Sequence, residues 1–328
     1  MEPAGFAAAA MALMAGAPEA RVPGLAQPLT PALAGLARLA GGCDRLFLAR
    51  PPLAPGAVIC GASHAPAPGG RAHAAGLGPD ARAAWTRAMG EVAEARALCP
   101  LPQDPCGVFP LLDARLRPCG TFPAAQALRL DPGDPVSGIA AGADVAQAAR
   151  AAWHEAVERH AIALWLGAAA PARPLDPPRA LRVFEAALRG AAAVAPLRYL
   201  RLPGAVPGFA VVVALSQRPE GVVPGYGCAP DPLEAACKAA TEVVQGEFAL
   251  HLEQRAQAEQ GGPLPKLGFT ARAQALAGRP DLTHPAPGGL APGPAVAPVF
   301  AVLTRPDDGV PVLRVMAEGL LTPPPGAV

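Results

Sequence analysis

The chain has 328 residues, a formal net charge of +1, and only 16% charged and 4% aromatic residues. No basic stripe is present and base-stacking side chains are scarce, which argues against nucleic acid as a main partner. The 43 prolines and 36 glycines demand many loops, yet the Ala-, Leu- and Val-rich runs between them can bury a substantial core, as one large domain or two coupled ones.

In chain order, residues 1–20 carry an apolar run with small residues, preceded by Glu2 and by no Lys or Arg. A secretory leader needs a positive start, so an alanine-rich N-terminal helix is expected instead. No apolar run is long enough to span a membrane. Residues 21–75 alternate short apolar runs (46–48 and 58–60) with Pro and Gly, a pattern of short strands and loops. A helix is expected over 80–98, then a Pro-punctuated connection over 99–136 that includes a short strand. The stretch 137–165 reads as a Gly-bracketed turn feeding a central helix. A Pro/Ala linker over 168–180 leads to a helix at 179–190, strands at 197–202 and 209–215, and a long helix over 231–258. Residues 261–295 are too rich in Gly and Pro for a long element. Strands at 296–303 and 310–315 flank the turn Pro306-Asp307-Asp308-Gly309.

Several motif readings fail. His154 and His160 are six apart, not the four a zincin helix requires. Gly76-Leu77-Gly78 and Gly225-Tyr226-Gly227 read as short glycine turns without the third glycine of a dinucleotide fingerprint, and there is no P-loop. The seven cysteines (Cys43, Cys60, Cys99, Cys106, Cys119, Cys228, Cys237) form no C-x-x-C. An odd total does not suit a closed disulfide framework, and Cys99, Cys106 and Cys119 lack zinc-ligand spacing. A reducing, cytoplasmic location is the simpler inference.

One spelling recurs three times: D-x-x-x-A-x-x-x-A-x-x-E-x-x-[EQ]. Asp80, Ala84, Ala88, Glu91 and Glu94 form the first copy; Asp144, Ala148, Ala152, Glu155 and Glu158 the second; Asp231, Ala235, Ala239, Glu242 and Gln245 the third. Asp suits a helix N-cap. Residues three apart share a helix face, so each acid pair points one way, and the alanines four apart leave room for something bulky. Grouped carboxylates on an apolar face are costly unless a cation or hydrogen-bonded ligand meets them, and hard cations such as Mg²⁺ favour such oxygen donors beside phosphates. Three amphipathic helices with solvated acids remain the alternative. The copies are spaced by 64 and 87 residues, too irregular for a solenoid, so an old internal duplication fits better.

The segment SGIAAG…HEAVERHAIALW resembles the YcaO family, whose helices carry E-x-x-E-R after an S-x-G-x-A-A-G loop. GYGCAPDPLEAACKAATEVVQ is similar to that family's E-x-x-Q segment, and LTRPDDGVPVLRVMAEGL to its closing strand. The resemblance runs in matching order from about residue 70 to the C-terminus. It implies an α+β fold, a YcaO-like mixed α/β arrangement with acid-bearing helices on mixed β-sheet. A YcaO-like domain over 71–328 would be preceded by an N-terminal segment, 1–70, of the same unit.

The resemblance also implies use of ATP and Mg²⁺ to activate a peptide backbone amide as a phosphorylated adduct. The products would be azolines, thioamides or amidines in ribosomal peptide biosynthesis. By position, Glu91, Glu94, Glu155, Glu158 and Glu242 would hold Mg²⁺, and with Ser137, Arg159, Gln245 and Arg314 they would bind ATP. Arg159 and Arg314 would face the phosphates, and a Pro-rich tail ending at Val328 would bring its carboxylate to the site. Implied partners are a precursor peptide, an E1-like or TfuA-like protein to help capture it, and a second copy in a homodimer. The first motif departs from the family pattern: Leu77 stands at a Lys position, Arg87 at a Ser position and Ala95 at an Arg position, with Arg87 and Arg96 as substitutes for the missing charge. Val302 and Ala317 depart in the closing strand, and Glu247 falls where a basic residue is expected nearby. The sequence favours an ATP-dependent peptide-modifying enzyme; the other reading is a degenerate, non-catalytic protein that binds a precursor peptide or partner enzyme.

Overall fold

The computed structural model describes residues 19–21, 34–67, 70–99, 107–128, 138–167, 171–192, 194–260, 269–277, 294–304 and 309–323. The expected N-terminal helix over 1–20, nearly all of turn 306–309, Cys106, Ser137 and the proline tail with Val328 lie outside them, wholly or for the most part. The elements begin with β1 (Glu19–Arg21), α1 (Ala34–Gly41), β2 (Cys43–Ala49), β3 (Val58–Ala67), β4 (Gly70–Gly78) and α2 (Ala81–Leu98). There follow β5 (Val108–Leu112), β6 (Pro118–Pro123), α3 (Ala124–Ala127), β7 (Ile139–Ala141), α4 (Val145–Leu166), β8 (Arg173–Pro174) and α5 (Arg179–Arg189). The chain continues through β9 (Arg198–Arg201), β10 (Ala210–Arg218), β11 (Gly221–Ala229), α6 (Pro232–Gln260), α7 (Phe269–Ala277), β12 (Val299–Val302) and β13 (Val312–Met316).

These elements form two compact units. The first comprises Met1–Arg50, Ala57–Ala156 and Val296–Leu320; the second comprises Pro51–Gly56, Val157–Ala295 and Leu321–Val328. The boundary falls inside α4. The first unit holds two sheets, ordered β1-β2-β3-β4 and β6-β5-β12-β13-β7. Its core joins Leu39 of α1, Leu48 and Cys60 of the first sheet, Trp85, Met89 and Val92 of α2, and Ala301 and Leu303 near β12. The second unit holds the sheet β11-β10-β9-β8, with Val211, Val212 and Val213 of β10 buried, as are Val243 and Val244 of α6. Every described pairing is antiparallel, so the α+β class holds with antiparallel sheets in place of the mixed ones expected.

The aspartates behave as caps. Asp80 accepts from the Ala83 amide at 2.8 Å, Asp144 from the Gln147 amide at 2.7 Å and Asp231 from the Leu233 amide at 3.1 Å. Each such cap is worth about 1 kcal/mol. The alanines have a different use from the one expected. Ala84, Ala88, Ala148, Ala152, Ala235 and Ala239 are fully buried, and the space above them is filled by the backbone of the preceding strand. A Cβ on Gly138 would lie 2.0 Å from the Ala152 carbonyl oxygen. On Gly76 it would lie 2.3 Å from the Ala84 oxygen, and on Gly225 2.3 Å from the Ala239 oxygen. Gly76, Gly78, Gly225 and Gly227 are therefore strand residues in β4 and β11, not turns. Glycine in a strand here marks a close backbone approach.

Gly138→Ala should destabilise the protein by about 2–3 kcal/mol through overpacking. Gly90→Ala, inside α2 with only the Ala141 Cβ at 3.8 Å, should stabilise it by about 0.5–1 kcal/mol. Urea unfolding of the two variants beside wild type measures both signs.

Candidate active site

Among the described residues, strands β4, β7 and β11 each end their sheet, so each has a row of backbone groups pointing outward from it. The helix that follows each strand supplies the partner. Glu91 accepts from the Ala75 amide at 2.9 Å, Glu155 from the Ile139 amide at 3.0 Å, and Glu242 from the Tyr226 amide. The donor stands sixteen residues before the acid in all three copies. In an antiparallel ladder the amide and carbonyl of alternate residues face the same way, so the next outward carbonyls are those two residues on. Arg87 donates to the Leu77 carbonyl and Lys238 to the Cys228 carbonyl at 3.2 Å, each from ten residues away. A base and an acid one helical turn apart thus close the edges of β4 and β11. The second copy has Ala151 where the base would stand. On its strand, the outward Ala141 amide donates instead to Glu94 of α2 at 2.8 Å.

Glu91, Glu94 and Glu155 consequently gather in the first unit. Burial pushes the Glu91 carboxyl up to about 7; the Ala75 amide opposes this and the Glu155 charge adds to it. Solvent still reaches Glu91, so it is crowded by protein along a wall that water can reach, not sealed in a core. Burial also raises Glu94 well above the ordinary carboxylate range, against the Ala141 amide, with Glu155 and Glu91 contributing repulsion. Like charges held together in poor solvent favour protonation unless a cation arrives.

In the second unit, Glu158 and Arg159 are half-buried on α4, and Glu242 and Gln245 half-buried on α6. The Glu158 charge is felt at Cys228 of β11, whose thiol is raised first by burial and second by Glu158. Tyr226 of the same strand meets Trp165 of α4 edge-on, with ring centroids 6.5 Å apart. Arg314 on β13 is buried and donates to the Ala127 carbonyl. Burial pushes the Cys43 thiol up to about 11 and holds the His64 imidazole below its usual value; the nearby Arg96 charge opposes the first shift and adds to the second. At Leu77 the positive charge in contact is that of Arg87.

Sequence reasoning missed Glu247 as a structural residue. It is buried on α6, pairs with Arg189 of α5 and accepts from Ser216 of β10. The basic neighbour expected from sequence arrives through space, from 58 residues upstream. It also missed His160, buried on α4, whose Nδ1 accepts from the Leu321 amide at 2.9 Å. The outward amides of β4, β7 and β11 carry no side-chain signal; only their constant spacing from the acids could have revealed them.

A family model described as YcaO cyclodehydratase, ATP- and Mg²⁺-binding, matches residues 132–285. No curated relative matches the chain. Among solved structures, the YcaO of Methanopyrus kandleri bound with AMPPCP and Mg²⁺ is 21% identical. That likeness covers 85% of this chain and 86% of the other, with a TM-score of 0.63. A heterocyclase in complex with substrate and cofactor is 16% identical over 92% of this chain, with a TM-score of 0.60. This chain spans about half of that protein, 54% of its length. With a YcaO family segment that takes in the second and third acid-bearing helices, just under half of the chain, and a fold shared with a YcaO over most of its length, the chain is similar to the YcaO proteins.

Proposed function

We propose that this protein uses ATP and Mg²⁺ to activate a backbone amide of a ribosomally made peptide, yielding an azoline, thioamide or amidine. The observation that carries the reading is the grouping of Glu91, Glu94 and Glu155, three carboxylates that repel one another, two of them raised by burial. Such a donor set suits a hard cation. Among the described residues no group of three or more His, Cys, Asp or Glu is placed to hold a metal ion by itself, so in this reading substrate phosphates complete the coordination, with one or two carboxylates as is usual for Mg²⁺. The family description names both ATP and Mg²⁺, and the relative from Methanopyrus kandleri holds AMPPCP and Mg²⁺.

In this reading Glu91, Glu94, Glu155, Glu158 and Glu242 hold the cations, and Gln245 and Arg159 complete the nucleotide contacts. Bound Mg²⁺ supplies neutralisation of the charge that spreads over phosphate oxygens during phosphoryl transfer. The chain's own residues orient those carboxylates and crowd water from around them. Arg314, whose Nη1 donates to the Ala127 carbonyl, takes a phosphate-facing role through its remaining guanidinium donors. Ser137 and the Val328 carboxylate complete the assignment. A precursor peptide is the substrate, with an E1-like or TfuA-like partner to deliver it. A homodimer and a cytoplasmic site of action complete the proposal; among the described residues no helix is long and apolar enough to cross a membrane.

The second reading is a non-catalytic YcaO-like protein that binds a precursor peptide or an enzyme partner. It is favoured by Leu77 at the expected Lys position.

Calorimetry at about 0.1 mM protein, a concentration suited to micromolar binding, separates the two. The enzyme reading expects ATP heat only with Mg²⁺, weakened at least about tenfold in Glu155→Gln, which corresponds to roughly 1.4 kcal/mol. Absence of Mg²⁺-dependent ATP binding in the wild-type protein overturns the enzyme reading and favours the second.

The raised acids also set a pH dependence. Below the ordinary Glu value of 4.5 the Glu91 carboxyl is protonated in both the folded and unfolded chain. Between 4.5 and about 7 the unfolded chain releases the proton while the folded one keeps it, so stability falls as pH rises through that window and levels off above it. Melting temperatures across this range should decline with pH in the free protein and decline less in Glu91→Gln.

A further inference from the structure

We propose that the outward amides of the β7 edge are positioning groups of the acidic site, with the Ala141 amide setting the place of Glu94 relative to Glu155. The inference rests on the nucleotide reading above and assigns a role that neither acid's motif position requires. Ile139 and Ala141 are two residues apart on one edge strand, and their amides hold carboxylates from two different helices: Glu155 of α4 at 3.0 Å and Glu94 of α2 at 2.8 Å. At about 3.4 Å of rise per residue, the two anchor points stand about 7 Å apart. A glutamate side chain has several freely rotating bonds, and ordering it costs up to about 2 kcal/mol. An amide that holds one oxygen meets part of that cost before any ligand binds, and it fixes the direction of the other oxygen.

The neighbouring copies show what is particular to β7. On β4 and β11 the second outward group is a carbonyl closed by Arg87 or Lys238 of that copy's own helix. On β7 the helix offers only Ala151, and the first copy's second acid takes the neighbouring amide. The contact spans 47 residues, so it joins the first and second copies along a single strand edge. Ala141 also leads into Gly142, whose amide donates to the Pro311 carbonyl at 2.9 Å, and β7 is paired with β13 on its other side. The edge is therefore a fixed ruler, and the carboxylates read their separation from it.

The test removes the Ala141 donor alone. Replacing Ala141 by lactic acid turns the amide into an ester with no N–H and the same side chain; Ala141→Pro does so genetically at an edge position that tolerates proline. Glu94→Gln is the control, since its amide oxygen can still accept from Ala141 while its charge is gone. The expected result is Mg²⁺–AMPPCP affinity at least about tenfold weaker in the ester protein. In a Glu94→Gln background the same ester should produce no further loss, because its effect runs through the Glu94 carboxylate. Wild-type affinity in the ester protein overturns the inference, as does an equal loss with and without Glu94, which would mark the amide as merely structural. A wild-type chain that binds no Mg²⁺–AMPPCP overturns the nucleotide reading and this inference together, so the two failures are distinct.

Discussion

The structure depends on how three sheet edges are closed. An edge strand exposes amides and carbonyls that must find partners in water, in another chain or in the same fold. Here each of β4, β7 and β11 turns directly into a helix that lies back along its own edge, and a glutamate from that helix takes an outward amide. This is possible only because the contacting residues are small. Gly76, Gly138 and Gly225 face buried alanines at separations that admit no side chain on the strand. The alanine-rich composition is in this sense a geometric requirement: bulk at these positions would lift the helix and move the carboxylate away from the amide.

The same arrangement gives the acids their chemistry. A carboxylate placed where a neighbouring strand's carbonyl would be is ordered, partly desolvated and close to other acids. Burial and mutual repulsion raise Glu91 and Glu94, and one amide each is too little to reverse that. Such a group costs stability when ionised, and natural proteins tolerate that cost mainly at functional sites. The buried Arg189–Glu247 pair is a contrast within one molecule. There the acid has a guanidinium and a hydroxyl as partners, and both carboxylate oxygens are engaged.

The three copies differ in ways that follow from their surroundings. The first and third retain a base one turn before the acid, closing the next carbonyl on the strand. The second has Ala151 there, and its strand edge receives a second carboxylate. Arg87, which looked in sequence like a misplaced substitute for a lost lysine, reaches the backbone of Leu77. Arg96, the other candidate substitute, lies near Cys43 and His64. Charge counted along the chain and charge delivered to one place are different quantities, since the direction of a long side chain is set by the face from which it leaves.

The α+β class, the helices of all three copies with their caps, and the resemblance to the YcaO family were legible in the order of the residues alone. Asp80, Asp144 and Asp231 act on amides two or three residues away, so their effect is local and legible. The strand pairs around 210–218 and 299–316 were likewise visible as short apolar runs. What the sequence could not fix was anything that depends on approach between distant backbones. The glycines of β4 and β11 read as turns because glycine marks both a turn and a place where another backbone comes close; only the packed helices decide between them. The amides of Ala75, Ile139, Ala141 and Tyr226 have no identity of their own in a sequence, because every residue but proline carries the same group. Which of them meet carboxylates was decided by the tertiary structure, through the strands that end each sheet and the small residues that let a helix lie against them.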